Sequence, residues 1–142
     1  MKIMPITEID DVKSVLAVCK LPIEDISAVN PPQFFGVTIA GCLEAVVGLE
    51  LFGNAGLIRS LAVLPAHRGN GFAKELVAFA EEQAASLGTK NLFLLTETAE
   101  AFFLKLGYQP ARRSDAPQAI KSTPQFSSIC PDSSAFLTKR LG

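Results

Sequence analysis

Tryptophan is absent from these 142 residues, tyrosine and histidine occur once each, and cysteine occurs three times. One histidine and three scattered cysteines, Cys19, Cys42 and Cys130, make no cluster with metal-ligand spacing, so no metal site is expected. An odd cysteine count without a CxxC pair excludes a disulfide framework and points to a reducing, cytoplasmic compartment. An excess of one charge is also missing. Thirteen Lys/Arg stand against fourteen Asp/Glu, for a net charge of −1 with no basic block. That leaves no electrostatic footprint for nucleic acid. No stretch stays apolar for the ~20 residues that a membrane helix needs. The start, MKIMPITEIDD, turns acidic too soon for a signal peptide.

What is there is a hydrophobic content of 49 %, enough for one folded domain over residues 1–142. Residues 2–5 suit a short strand. Val12, Val15, Leu16 and Cys19 repeat at helical spacing, which predicts a helix over 8–19 with Thr7 as its cap. A short helix is expected over Ile23–Ser27. Strands are expected over Gln33–Ile39, Cys42–Phe52 and Leu57–Leu64. The last two are joined by a hairpin loop of four residues, Gly53–Gly56. Gly71–Leu87 is the clearest helix, with Leu76, Val77, Ala80 and Ala84 on one stripe and Gly88 at its end. Asn91–Leu95 reads as a buried strand and Glu100–Leu106 as a short helix. Residues 114–133 read as an irregular loop rich in Ser and Pro, and Ala135–Arg140 as a final strand. The order β-α-(α)-β-β-β-α-β-α-β-β describes an α+β sheet with helices on its faces.

The informative stretch is Leu57–Ala84, where an apolar strand, a proline and Arg68-Gly69-Asn70-Gly71 lead into a helix. A helix N-terminus carries unpaired N–H groups and partial positive charge, and glycines let an anion approach the backbone. A P-loop is excluded because no Gly-Lys-Ser/Thr follows. A dinucleotide fingerprint is excluded because Lys74 stands where it needs Gly or Ala. The plain alternative is an ordinary glycine-rich helix start.

Arg68-Gly69-Asn70-Gly71-Phe72-Ala73 does match R-x-x-G-x-G/A, preceded by Val63-Leu64-Pro65, a V-x-P. With strand 91–95 and Ala99–Tyr108, which is similar to A-x-x-F-Y-x-K-x-G-F, the chain resembles the GNAT superfamily of acyl-CoA-dependent N-acetyltransferases. The resemblance implies a mixed, mostly antiparallel sheet with helices on both faces and a splayed central strand pair. It implies acetyl-CoA as co-substrate, with its pyrophosphate on backbone N–H groups of Arg68, Gly69, Asn70, Gly71, Phe72 and Ala73. The pantetheine arm would pair near Leu61, Ala62 and Val63 and pass Phe103. Many relatives carry a tyrosine at Phe103 that protonates the departing thiolate. Here Tyr108, water or no acid at all takes that part. Monomer and homodimer both remain open.

Acetyl transfer to an amine needs a base for the ammonium proton. Glu50 is the candidate. A four-residue loop would set it opposite Arg59 on one face of the sheet. Two charges among apolar strand residues invite two readings. One is a structural ion pair. The other is a substrate site in which Arg59, with Ser60 beside it, holds a carboxylate while Glu50 takes the proton. Thr96 and Thr98 suit either substrate contact or capping of the helix at 99–106, and Glu97 suits either contact or exposure. Arg112, Arg113 and Lys121 read as surface charges that would otherwise gather a second anion. His67 reads as exposed.

The stretch Leu95–Phe103, with Ala116–Ile120 and Cys130–Ala135, resembles short amino-acid N-acetyltransferases, including N-acetylglutamate synthase-type domains and arsenic-resistance-associated acetyltransferases. That resemblance implies a small-molecule amine acceptor, glutamate or a toxic glutamate analogue such as an arsenic-containing one. Arsenic ligation by the cysteines is not expected. Two alternatives stand beside it: a GNAT enzyme for a polyamine or protein N-terminus, and an acyl-CoA-binding sensor without turnover.

Overall fold

The computed structural model describes residues 2–27, 31–129 and 133–141, without the side chains of 128 and 129. Cys130 and most of the motif around it lie outside the described residues. Seven strands are hydrogen-bonded in the order β1-β2-β3-β4-β5-β7-β6. They are β1 (Met4–Ile6), β2 (Gln33–Ile39), β3 (Cys42–Phe52), β4 (Ala55–Val63), β5 (Asn91–Thr96), β6 (Gln109–Pro110) and β7 (Ala135–Arg140). The helices are α1 (Ile9–Val18), α2 (Phe72–Ser86), α3 (Glu100–Lys105) and α4 (Gln118–Lys121). β4 and β5 pair in parallel, over Ala55–Leu57 against Asn91–Phe93. Contacts group the chain into two compact units, Met1–Glu50 with Ile58–Glu82, and Leu51–Leu57 with Gln83–Gly142.

In the first unit, β1, β2 and β3 run antiparallel. Pro5 is tolerated in β1 because that strand is an edge. Adjacent residues on a strand point to opposite faces. Phe34 accordingly joins Val12, Val15, Leu16, Ile26, Val46 and Ala62 in a core under α1. Its neighbour Phe35 packs against Phe79 of α2 with ring centroids 5.1 Å apart. Helices therefore cover both faces of this part of the sheet. The helix expected over Ile23–Ser27 does not form. The chain makes a turn at Glu24-Asp25 instead, with Ile26 buried in the core and Ile23 packed against it.

In the second unit, β7 pairs antiparallel with β5 from Asn91↔Arg140 to Thr96↔Ala135, and β6 adds to its other edge. Residues 113–129 are not an irregular loop. A 3-10 turn at Arg113–Asp115, α4 and a π-helical turn at Gln125–Ile129 succeed one another. Ala116, Ile120 and Phe126 pack with Ala55, Leu57, Phe93 and Phe136. The four-residue spacing of Ala116 and Ile120 puts both on one side of a helical turn, a pattern masked by the surrounding Ser and Pro.

The hairpin between β3 and β4 also differs from expectation. Its turn is only Gly53-Asn54, not four residues. Gly53 has φ +71°, which a two-residue hairpin turn favours at its first central position. The strands are therefore paired further toward the turn than expected. Gly48, rather than Glu50, lies directly against the stem of Arg59.

Candidate active site

β4 leads into the glycine turn. After Val63, Pro65–His67 form a 3-10 turn. The Leu64 N–H donates to Glu44 O of β3. Because that peptide is trans, the Val63 carbonyl points away from β3. It accepts from Arg68 Nε at 3.0 Å, and the Cys19 thiol also approaches it at 3.6 Å. Arg68 is thus folded back onto the end of β4, with Nη2 3.6 Å from Cys19 Sγ. A pantetheine amide pairing at Val63 would have to use its N–H.

Gly69 and Gly71 have φ of +84° and +82°, a region costly for any residue with a Cβ, and neither has a neighbour within 4 Å of that position. The turn is open to solvent and backbone-lined. Glu75 N–H to Gly71 O closes the first turn of α2, which leaves the N–H groups of Phe72, Ala73 and Lys74 outside the helical ladder. Arg68 differs from expectation here, since its own N–H donates to Pro65 O. His67 is half-buried rather than exposed, because its ring stacks on Phe72 at 5.6 Å and its Nε2 lies 3.7 Å from Glu44.

Ten residues before Gly69, at Arg59, a polar cluster interrupts the apolar strands. Arg59 is 4 % exposed. Its Nη1 and Nη2 fork the carboxylate of Asp25, the second contact at 2.8 Å. Nη1 also donates to Glu50 Oε2 at 3.2 Å, and Nε donates to Ser60 Oγ at 3.0 Å. The Asp25 side chain is 3 % exposed and that of Glu50 20 %. Glu50 is therefore the accessible carboxylate. Arg59, expected to receive a substrate carboxylate, has its fork already filled by Asp25, and a substrate would have to displace a buried partner. Ser60 is the mid-strand exception, with φ +57°, a strained conformation for a residue with a side chain. It turns the backbone within β4 and gives Arg59 Nε its acceptor.

Asp25 was missed by the sequence reading. Its only signal was a carboxylate between Ile23 and Ile26, beside the exposed Glu24.

The remaining candidates belong to the second unit. Thr96 Oγ1 accepts from Ala99 N–H at 3.0 Å, so it shapes the turn into α3. Thr98 and Glu97 are exposed. Phe103 is 4 % exposed and meets Phe102 and Tyr108 edge to face, at 5.1 and 5.4 Å. Tyr108 is 2 % exposed, with Lys139 Nζ 5.5 Å from its ring. Arg113 donates to Ser134 O and lies over Phe126, while Lys121 donates to Ser114 O. Among the described residues no group of three or more His, Cys, Asp or Glu is placed to hold a metal ion, and no helix is long and apolar enough to cross a membrane.

Residues 19–108 match the acetyltransferase (GNAT) family. The amino-acid acetyltransferase of Pseudomonas paraeruginosa is 39 % identical over 96 residues, covering 66 % of this chain and 22 % of that protein. The chain thus spans about a fifth of the length of that relative. N-acetylglutamate synthase from Neisseria gonorrhoeae, complexed with coenzyme A and N-acetyl-glutamate, superposes with a TM-score of 0.83 at 19 % identity, over 100 % of this chain and 36 % of that one. Rv2747 from Mycobacterium tuberculosis, in complex with CoA and NLQ, superposes with a TM-score of 0.76 at 18 % identity over the whole of both chains. The chain belongs to the acetyltransferase (GNAT) family.

Proposed function

We infer that the protein acetylates the free α-amino group of an amino acid, with glutamate or a phosphorus- or arsenic-containing glutamate analogue as acceptor. The observation that carries the chemistry is an accessible carboxylate, Glu50, held by a buried guanidinium in the same unit as the glycine turn. The acceptor class is supported by the relative's description as an amino-acid acetyltransferase and by the N-acetyl-glutamate in the Neisseria complex.

An α-ammonium is largely protonated near neutrality, and its nitrogen lone pair is free only after proton loss. Glu50 takes that proton, directly or through one water. The amine nitrogen then bonds to the thioester carbon, and the C–S bond breaks with its electron pair on sulfur. The amides of Gly69–Ala73 would hold the CoA pyrophosphate, with Arg68 and Lys74 near its charge, and Leu61–Val63 would line the pantetheine. The nitrogen sheds its second proton as the amide forms, and that proton reaches the departing thiolate, a fair leaving group, through water, since Tyr108 sits in the core.

The test is CoA release from acetyl-CoA across glutamate, aspartate, other amino acids, phosphorus- and arsenic-containing glutamate analogues, and polyamines. Release dependent on a glutamate-like acceptor is expected. Selectivity for an arsenic-containing analogue over glutamate would make the protein a resistance enzyme. Acceptor-independent silence, with acetyl-CoA still raising Tm, would replace this reading by a sensor. Full turnover by Glu50→Gln across pH 6–9 would remove Glu50 as the base.

A further inference from the structure

Little packs against the glycine turn. From Pro65 to Gly71 every residue except His67 is exposed, and a Cβ on Gly69 or Gly71 would meet nothing within 4 Å. Glycine also has more backbone freedom to lose than any other residue. A cradle of backbone N–H groups binds an anion well when those groups already converge, because ordering them at the moment of binding subtracts from affinity.

His67 and Phe72 bracket the turn. They stand on either side of Arg68–Gly71, and their rings lie 10° from parallel with centroids 5.6 Å apart. Near-parallel rings at that separation are offset-stacked, an arrangement that aromatic pairs favour. The imidazole has a second contact at its edge, where Nε2 lies 3.7 Å from Glu44 Oε2. Glu44 belongs to β3, and its main-chain oxygen accepts the Leu64 N–H at 3.0 Å. A path of contacts therefore runs from β3 through Glu44 to His67, and from His67 to the first residue of α2. It closes the chain across the turn and leaves the backbone of Gly69–Gly71 open.

We propose that His67 is a positioning residue that pre-organises the glycine turn for the CoA pyrophosphate, by stacking on Phe72 and bearing on Glu44. The proposal rests on the reading of that turn as the pyrophosphate cradle. The imidazole suits the task because one flat face meets a ring while a polar edge meets a carboxylate.

The experiment compares acetyl-CoA with S-acetylpantetheine, which carries the same thioester arm but no pyrophosphate or nucleotide. Both are measured on the full chain by isothermal titration and displacement. His67→Ala should weaken acetyl-CoA roughly two- to tenfold, the fold-change that one aromatic pair supplies, and leave S-acetylpantetheine unchanged. His67→Phe keeps a ring over Phe72 and should recover most of the loss. In the free protein, backbone amide relaxation by NMR should give lower order parameters at Gly69–Gly71 in His67→Ala, with the middle of α2 unchanged. Phe72→Leu removes the ring and keeps the bulk, and it carries the same comparison if His67→Ala does not fold. Equal weakening of both thioesters, or of neither, overturns the proposal, since a merely structural His67 would not tell them apart. Gly71→Ala separates the two readings. If it weakens acetyl-CoA and His67→Ala does not, only the role of His67 fails. If neither variant weakens acetyl-CoA, the cradle reading fails as well.

Discussion

Gly48 makes room for Arg59. A Cβ on Gly48 would lie 3.0 Å from Arg59 Cγ, 3.1 Å from Arg59 O and 2.9 Å from Phe34 Cε1. The buried guanidinium reaches Asp25 and Glu50 along a stem that passes over a residue without a side chain. Gly48→Ala should therefore cost about 1–3 kcal/mol, the usual range for overpacking. It should also displace Arg59 and lower turnover more than acetyl-CoA affinity. Urea denaturation and CoA-release kinetics check both. An unchanged midpoint with normal turnover would show that the stem has room to spare.

The glycine turn should respond to any side chain. Gly71 holds φ +82°, where an L-residue pays roughly 1–2 kcal/mol. If that cost appears in cofactor binding, Gly71→Ala should weaken acetyl-CoA about tenfold, since 1.4 kcal/mol is a factor of ten. Isothermal titration measures it. Wild-type affinity in this variant would place the pyrophosphate elsewhere.

Arg68 is pinned to Val63 O and lies beside Cys19. Its charge is thereby fixed at the end of β4 next to the turn. Arg68→Ala should raise the acetyl-CoA Kd by roughly tenfold at low salt, with the difference shrinking as ionic strength rises. A loss independent of salt would mean that the side chain acts by bracing Val63 rather than by its charge.

Tyr108 is buried against Phe103. A side-chain general acid typically contributes about 10²–10⁴-fold. Tyr108→Phe should keep turnover within about tenfold of wild type and act mainly on Tm. A hundredfold fall in kcat at unchanged stability would return the thiolate's proton to this residue.

The buried pair should be visible in stability as well. Asp25→Ala leaves Arg59 charged and without its fork, and should cost about 3–5 kcal/mol in equilibrium unfolding. A cost below 1 kcal/mol would mean that water or Glu50 replaces Asp25.

The sequence by itself determined the elements whose cues lie within one turn or one pleat. Helix α2 was legible because Leu76, Val77, Ala80 and Ala84 recur at helical spacing and Gly88 ends the run. Strands β2, β3 and β7 were legible from their runs of β formers bounded by turn residues. The strand, glycine turn and helix start around Arg68–Ala73 were legible for the same reason, since that whole device is contiguous in sequence. Residues 113–129 failed that test: Ser and Pro dominate the composition, and the cues that bury Ala116, Ile120 and Phe126 come from β5 and β7.

The candidate base cluster was only half legible. Glu50 and Arg59 stood out as charges within apolar strands, but their geometry depended on a turn whose length the sequence left ambiguous. Gly53 closed it in two residues. Asp25 could not be found locally, because nothing within its own segment demands a cation. Its partner is 34 residues away and arrives only when the α1–β2 connection packs on the sheet. Local pattern specifies periodicity and turn chemistry. The pairing of a buried charge is decided by which distant segment supplies the opposite one, and only the tertiary structure settles that.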